Sequence, residues 1–378
     1  MGRISRLASY GCVGVVTVCM GLWSGTCAVP VPDWLRCNGT EQMSFFGQQR
    51  SSCEVRKIQE EVECWAQRGD WYLNDSVTIV DDMKLYKPCG GSYGNKNPCA
   101  WMLDGPMLKY YWHPQDNCST PAAQYRPFDA SHFCDLMRGQ NVLIVGDSVS
   151  EAMASSWQNK LHSGLGIQEC LSYPLPECDL TIHFIRNDYL SLVRERVDDP
   201  QTYQFPWVGQ LEALNITTLV LNRGSHFVLD EQFLPAVNDT LHYLSGRSVS
   251  VVWRNTPHGH INMNSFAMAA PLKRSSEQLH MYKEDDRNWN YGHFKRQNSL
   301  VRELIRRHYP SVLYLDVFDP SVLRADSRYD PIHPCVPGFM DTWLELLYNA
   351  FSLIRPVPVL ASTSTSTSTS TPTSIDSI

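Results

Sequence analysis

Residues 141–148 read Asn141-Val142-Leu143-Ile144-Val145-Gly146-Asp147-Ser148, an apolar run that stops on a glycine, an acid and a hydroxyl. A short apolar run ending on a turn signal reads as a strand, and the pattern over 149–162 reads as a helix. A strand that ends this way sets Ser148 at a helix N-terminus, where backbone N–H groups lack intrahelical partners and the potential is positive. Both features suit an oxyanion. Far downstream, Asp330-Pro331-Ile332-His333 offers an acid and an imidazole three residues apart.

From residue 140 onward, short β-branched runs alternate with helical patterns, which predicts an α/β fold with a parallel sheet. Five strands are expected, at 141–145, 180–185, 218–221, 248–253 and 312–317. Helices are expected at 149–162, 206–214, 230–244 and 293–308. Open parallel sheets bind ligands beyond the carboxyl ends of their strands. The distinctive polar residues fall there: Gly146-Asp147-Ser148 after the first strand, Asn222-Arg223-Gly224-Ser225-His226 after the third, Arg254-Asn255-Thr256-Pro257-His258-Gly259-His260 after the fourth, and Asp330 to His333 beyond the fifth.

The chain has 378 residues, 32 basic against 39 acidic, for a net charge of −7, and no long basic run, which argues against nucleic acid as a partner. Arg3 and Arg6, an apolar stretch over 7–23 and then Thr26-Cys27-Ala28 read as a secretory signal over 1–28, either cleaved or kept as a membrane anchor. Ten cysteines follow that leader, namely Cys37, Cys53, Cys64, Cys89, Cys99, Cys118, Cys134, Cys170, Cys178 and Cys335, an even number that fits disulfides formed in an oxidising lumen. Sequons at Asn38, Asn74, Asn117, Asn215 and Asn238 agree with export.

Residues 30–133 hold six of these cysteines and many turn residues, which suggests a disulfide-rich, loop-rich N-terminal subdomain with a looped hairpin between Cys89 and Cys99. A catalytic domain would span 134–356. The Ser/Thr tract over 357–378 has too little apolar surface to pack and is expected to be disordered.

A serine hydroxyl is a weak nucleophile at neutral pH until an imidazole takes its proton and a carboxylate orients that imidazole. Ser148, His333 and Asp330 supply those three groups. Asn222 is the candidate side-chain donor to the oxyanion, with the Ser148 N–H as the other. Asp147 would fix the elbow turn with Gly146. Arg254 ends a buried-looking strand and must be paired or face a site. His258 and His260 lack a third ligand at a useful spacing, so no metal is expected. Trp207, Trp289, Tyr291 and the aromatic cluster Tyr110-Tyr111-Trp112-His113-Pro114 are candidates for core packing or for stacking on sugars. The charged run over 283–287 reads as a solvated loop.

These residues carry a resemblance to a known family. The Gly146-Asp147-Ser148 block, the run over 125–133 before it, the Asn222 block, Arg254 with its following histidines, and the stretch over 330–343 resemble the plant trichome-birefringence-like polysaccharide O-acetyltransferases and the related PC-esterases. That family shares an SGNH/GDSL-hydrolase fold, which implies a three-layer α/β/α catalytic domain. In SGNH enzymes a glycine of the second block also donates to the oxyanion, and Gly209 is the nearest positional match. The plant pattern puts a cysteine directly after the aspartate and a tryptophan after the histidine. Pro331 and Pro334 stand there in this chain, while Asp330, His333 and Cys335 keep their places. The resemblance implies an acyltransferase of the Golgi lumen or secreted space that moves an acetyl group from a donor, acetyl-CoA or another acetyl carrier, onto a polysaccharide hydroxyl, with no bound cofactor. A glycan O-acetyl esterase of the same fold, or a non-catalytic glycan-binding or wall-structuring protein, are the competing readings.

Overall fold

A computed structural model describes residues 41–76, 106–118, 123–164, 174–193, 195, 197–199, 202–260, 270–274 and 290–355. The leader, the Cys89–Cys99 segment, Asn38, the loop over 283–287, Trp289 and the Ser/Thr tail lie outside the described residues.

The chain begins with a hairpin of β1 (Gln42–Phe45) and β2 (Gln48–Ser51), then α1 (Ser52–Gln67), and a second hairpin of β3 (Gly69–Leu73) and β4 (Tyr110–Pro114). Next come α2 (Ala130–Met137), β5 (Gln140–Gly146), α3 (Ser148–Gly164), β6 (Pro174–Leu175), β7 (Leu180–Arg186), β8 (Val197–Asp199), β9 (Thr202–Gln204) and α4 (Gln210–Ala213). The remainder comprises β10 (Thr218–Leu221), α5 (Asp230–Ser245), β11 (Ser250–Arg254), α6 (Tyr291–His308), β12 (Leu313–Leu315), α7 (Phe318–Val322) and α8 (Asp341–Ile354).

The main sheet has the order β12-β11-β10-β5-β7-β6. Its first five strands are parallel and β6 closes one edge antiparallel. Strand side chains point alternately to opposite faces, and the core divides accordingly. Val142, Ile144, Val220, Val252 and Leu313 join one apolar cluster with residues of α1, α2, α3 and α8. Leu143, Val145, Leu219, Leu221, Val251 and Trp253 join another with residues of α4, α5 and α6. Helices therefore cover both faces, giving the three-layer α/β/α arrangement that the resemblance implies.

All five expected strands are present, the last shortened to Leu313–Leu315. The helix expected at 206–214 is reduced to one turn, Gln210–Ala213. Trp207 is pulled fully into the core and its indole N–H donates to the Ser191 carbonyl at 3.1 Å, which fixes the residues before that turn in a non-helical path.

Inside the stretch expected to be loop-rich, Ser52–Gln67 form the regular helix α1. Ser51 and Glu54 form a reciprocal capping box at its start. Val55, Ile58, Val62, Trp65 and Ala66 are all buried along one face at helical spacing. The helix lies against α7, α8 and β12. It also protects the exposed edge of the sheet: the Gln59 amide donates to the Tyr314 carbonyl at 2.8 Å and accepts from the Tyr314 N–H at 2.9 Å. Unpaired edge groups that would otherwise be open to another strand are thus satisfied. Disulfides join Cys64 to Cys118 and Cys134 to Cys178, fastening α1 to the segment after β4 and α2 to the turn before β7. No helix among the described residues is long and apolar enough to cross a membrane.

Because Trp65 is fully buried in the cluster that also receives the sheet, Trp65→Ala is expected to cost about 3–5 kcal/mol in chemical denaturation. Lys57→Ala, on the exposed face of α1, serves as the control and should change stability by under about 0.5 kcal/mol. Equal small effects from both would show that α1 is not part of the core.

Candidate active site

The site sits at the C-terminal edge of the parallel sheet. Strand β5 ends on Gly146 and α3 starts at Ser148, so the turn between them is a single residue, Asp147. Asp147 is fully buried, and its Oδ1 accepts from the N–H groups of Val149 at 3.0 Å and Ser150 at 3.2 Å. This N-terminal cap holds the first turn of α3, and the Ser148 N–H is not among the groups it takes. Gly146 has no room for a Cβ, which would run into the Ser150 side chain.

Ser148 Oγ lies 2.7 Å from His333 Nε2, and His333 Nδ1 lies 2.6 Å from Asp330 Oδ2. The other Asp330 oxygen accepts the N–H groups of Ile332 at 2.9 Å and His333 at 2.7 Å. Burial pushes the Asp330 carboxyl up, but the His333 ring and these two backbone donors outweigh it and hold the group below the usual aspartate value. It is therefore a carboxylate throughout the neutral range. The Tyr329 ring stacks on His333 with centroids 5.5 Å apart and planes 10° from parallel. Sequence reasoning did not single out Tyr329; its place directly before Asp330 was the available signal.

Arg254 ends β11 fully buried. Its Nη2 donates to Ser150 Oγ at 2.7 Å, its Nη1 to the Asn255 carbonyl at 3.0 Å, and its guanidinium lies 5.2 Å from the centre of the Trp343 ring. Burial lowers its pKa to about 10, with Asp147 acting in the opposite direction. Arg254 is thus tied to the elbow from behind and stays charged.

Asn222 lies beside the elbow, but its Nδ2 donates to the Arg254 carbonyl at 2.9 Å and to the Thr256 hydroxyl at 3.3 Å. To reach an oxyanion it must exchange one of those partners. Gly209 is not brought to the triad. It is exposed, with nothing within 4 Å of a Cβ, and it precedes α4, which leads into Leu214 and Asn215 at the N-terminal edge of β5, where the Asn141 amide holds both carbonyls.

Trp207 and Tyr291 are buried to 0% and 1% exposure, so neither offers a face to a sugar. His258 and His260 are buried as well, and no metal-ligating cluster occurs among the described residues. The tyrosine ring comes within 2.5 Å of where a Cβ on Gly259 would stand, so only glycine fits there. In the aromatic cluster of β4, Trp112 is core, with its indole donating to the Trp65 carbonyl at 2.8 Å, while Tyr111 is exposed.

A group that sequence reasoning missed follows β7. In the sheet register Arg186 stands opposite Gly146, and the Asn187 N–H donates to the Gly146 carbonyl at 2.8 Å. Asp188 pairs with Arg186 at 2.9 Å and His226 at 3.4 Å. The signal was positional: residues that end the strand next to the nucleophile's strand must lie at the site.

Over 354 residues the chain is 24% identical to trichome birefringence-like 38 of Arabidopsis thaliana, a match covering 80% of this chain and 88% of that protein. The chain resembles the trichome birefringence-like proteins. No protein-family model matches it. Among solved structures it is similar to a catalytic mutant of an acetylxylan esterase from Geobacillus stearothermophilus, at 10% identity and a TM-score of 0.38, covering 56% of this chain and 94% of that one. It is also similar to an acylhydrolase-like protein from Bacteroides fragilis, at 12% identity and a TM-score of 0.35, covering 61% and 98%. At these scores the fold rests on the strand order and layers described above.

Asp330→Asn keeps the shape of the loop but offers His333 an amide where it had a carboxylate. Reactivity of Ser148 toward a fluorophosphonate probe is expected to fall by about three to four orders of magnitude. A variant labelled at more than a tenth of the unmodified rate would show that the carboxylate does not orient the imidazole.

Proposed function

We propose that the chain is an O-acetyltransferase that moves an acetyl group onto carbohydrate hydroxyls through an acyl-enzyme on Ser148. The observation that carries this reading is the continuous chain from Ser148 Oγ through His333 to Asp330, at 2.7 and 2.6 Å, at the mouth of a parallel sheet. In the first half-reaction Ser148 Oγ attacks the acetyl carbonyl carbon of the donor while His333 Nε2 takes the hydroxyl proton. The tetrahedral oxyanion is held by the Ser148 N–H and, once it releases a partner, by Asn222. Collapse breaks the bond to the carrier, which leaves with the proton from His333. In the second half, His333 takes the proton of a sugar hydroxyl as its oxygen attacks the acyl carbon, and Ser148 leaves with that proton.

The donor is a co-substrate, acetyl-CoA or another acetyl carrier. The family resemblance supports a glycan acceptor. The apolar leader, the sequons and the Cys64–Cys118 and Cys134–Cys178 disulfides support passage through the secretory pathway, to the Golgi lumen with the leader as anchor or to the outside as a secreted protein. An esterase would use the same three residues with water in place of the sugar hydroxyl.

Purified protein incubated with an acetyl donor and a mixed glycan panel should build up acetylated oligosaccharide, read by mass spectrometry. Ser148→Ala should lower that turnover by about 10⁴-fold or more. Deacetylation of pre-acetylated glycans without any transfer would replace this reading by the esterase. Absence of both, together with no fluorophosphonate labelling of Ser148, would leave a non-catalytic glycan-binding protein.

A further inference from the structure

A cleft of about 380 Å³ opens at the same edge of the sheet as the triad. Tyr189 in its wall lies three residues beyond the end of β7, and Arg223 lies two beyond the end of β10. These strands flank β5, the one that delivers Ser148. Leu190, Leu192 and Val228 make much of the remaining wall apolar.

Arg223 is the unusual member. It is 7% exposed, its Nε is buried without a hydrogen-bond partner, and no carboxylate pairs with it among the described residues. Its guanidinium sits 5.7 Å from the centre of the Tyr189 ring and 5.8 Å from that of Phe233. The other buried arginines each donate to protein acceptors, although the Nε of Arg254 and of Arg328 has no partner either. Arg254 bonds Ser150 and the Asn255 carbonyl, Arg324 pairs with Asp326 at 2.8 Å, and Arg328 bonds the carbonyls of Ile332 and Ser321. The carboxylate after β7, Asp188, is taken by Arg186 and His226, and Asp239 stands exposed on the cleft's wall without pairing with Arg223. Burial lowers the Arg223 pKa only to about 10, so the cation persists at neutral pH. A buried cation held only by aromatic faces is costly, and an anionic ligand relieves that cost.

We propose that Arg223 is an anion-binding residue of the substrate cleft, whose guanidinium takes one oxyanion of the molecule that reacts at Ser148 while the apolar wall covers the neighbouring part of that molecule. The assignment to a reacting molecule rests on the acyl-transfer reading above. The oxyanion is a carboxylate or a phosphate, and it has two sources: an acidic sugar unit of the acceptor, or the phosphate of the acetyl carrier.

Binding to the full chain carrying Ser148→Ala separates them without turnover. Calorimetry would compare a neutral oligosaccharide, a uronate-containing oligosaccharide and coenzyme A, with Arg223 intact, as Arg223→Met and as Arg223→Lys. Arg223→Met is expected to weaken one anionic probe by about ten- to a hundred-fold, the worth of a charge-assisted hydrogen-bonded pair, with Arg223→Lys in between and the neutral probe unaffected. Loss confined to the uronate probe assigns the acceptor, and loss confined to coenzyme A assigns the donor. Should Arg223→Met fail to fold by circular dichroism, competition by inorganic phosphate against each anionic probe on the Arg223-intact chain decides. Anionic probes that do not bind, that bind equally well to Arg223→Met, or that phosphate does not displace overturn the proposal. Fluorophosphonate labelling of the unmodified protein reports on acyl transfer separately, so either idea can fail alone.

Discussion

Arg254 places a guanidinium at 0% exposure between the sheet and α8, and a charge there is tolerated only beside an opposite charge and with its donors used. Asp147 supplies the opposite charge, and burial of that carboxyl is in turn outweighed by the guanidinium and by donors at the start of α3. Neither group can be buried without the other. Because Asp147 is also the one-residue turn between β5 and α3, the attraction between the two buried charges acts at the point where Ser148 leaves the sheet. The carboxylate of the Gly-Asp-Ser block therefore acts on Ser148 through the backbone, while the carboxylate that contacts the imidazole beside Ser148 is a different one, Asp330.

The second half of the triad is separated from Ser148 by 185 residues and arrives on a loop, so it needs its own supports. Arg328 reaches along the loop to the Ile332 carbonyl at 2.8 Å and back to the Ser321 carbonyl of α7 at 3.2 Å. From the side, the His260 N–H donates to the Pro331 carbonyl at 2.7 Å, which brings the segment after β11 against the loop. Arg324, just before it, donates to the Met107 carbonyl and lies 4.4 Å from the centre of the Trp71 ring, linking the loop's base to the β3–β4 hairpin. The N-terminal part of the chain thus braces α7 and the segment that follows it, in addition to covering the edge strand β12.

What could be read from residue order follows from how local each signal is. The strands announced themselves because a parallel sheet covered on both faces demands uninterrupted apolar runs such as 142–145, and the polar residues at their ends had nowhere else to go. The triad was legible for the same reason, since a hydroxyl at a strand end and an acid–imidazole loop make chemical sense only together. Helix α1 was equally legible, with a capping box and five apolar residues on one face, but the density of cysteines and turn residues around it drew attention to loops. Gly209 rests on positional analogy alone, and the structure places it away from the triad; for Trp207 and Tyr291 the sequence leaves core packing and sugar stacking both open, because an aromatic in a loop gives no local sign of which way it turns. Asn222 is intermediate: its position was right, yet the partner of its amide is a carbonyl on the next strand, a tertiary contact that no spacing reveals.

The triad is half-open to solvent, with the His333 side chain 21% and the Asp330 side chain 35% exposed. On the acyl-transfer reading proposed above, an acyl group on Ser148 would therefore meet water at every turnover, and nothing in Ser148, His333 or Asp330 distinguishes a water hydroxyl from a sugar hydroxyl. Discrimination has to come from holding the acceptor so that its hydroxyl competes at an effective concentration far above that of the solvent, which intramolecular models place as high as about 10⁵–10⁸ M. The buried aromatics cannot do this, since Trp207 and Tyr291 are committed to the core. Polar and charged groups beyond the ends of the strands flanking β5 are what the described part of the edge offers instead, and on the acyl-transfer reading proposed above the balance between transfer and hydrolysis would be set there.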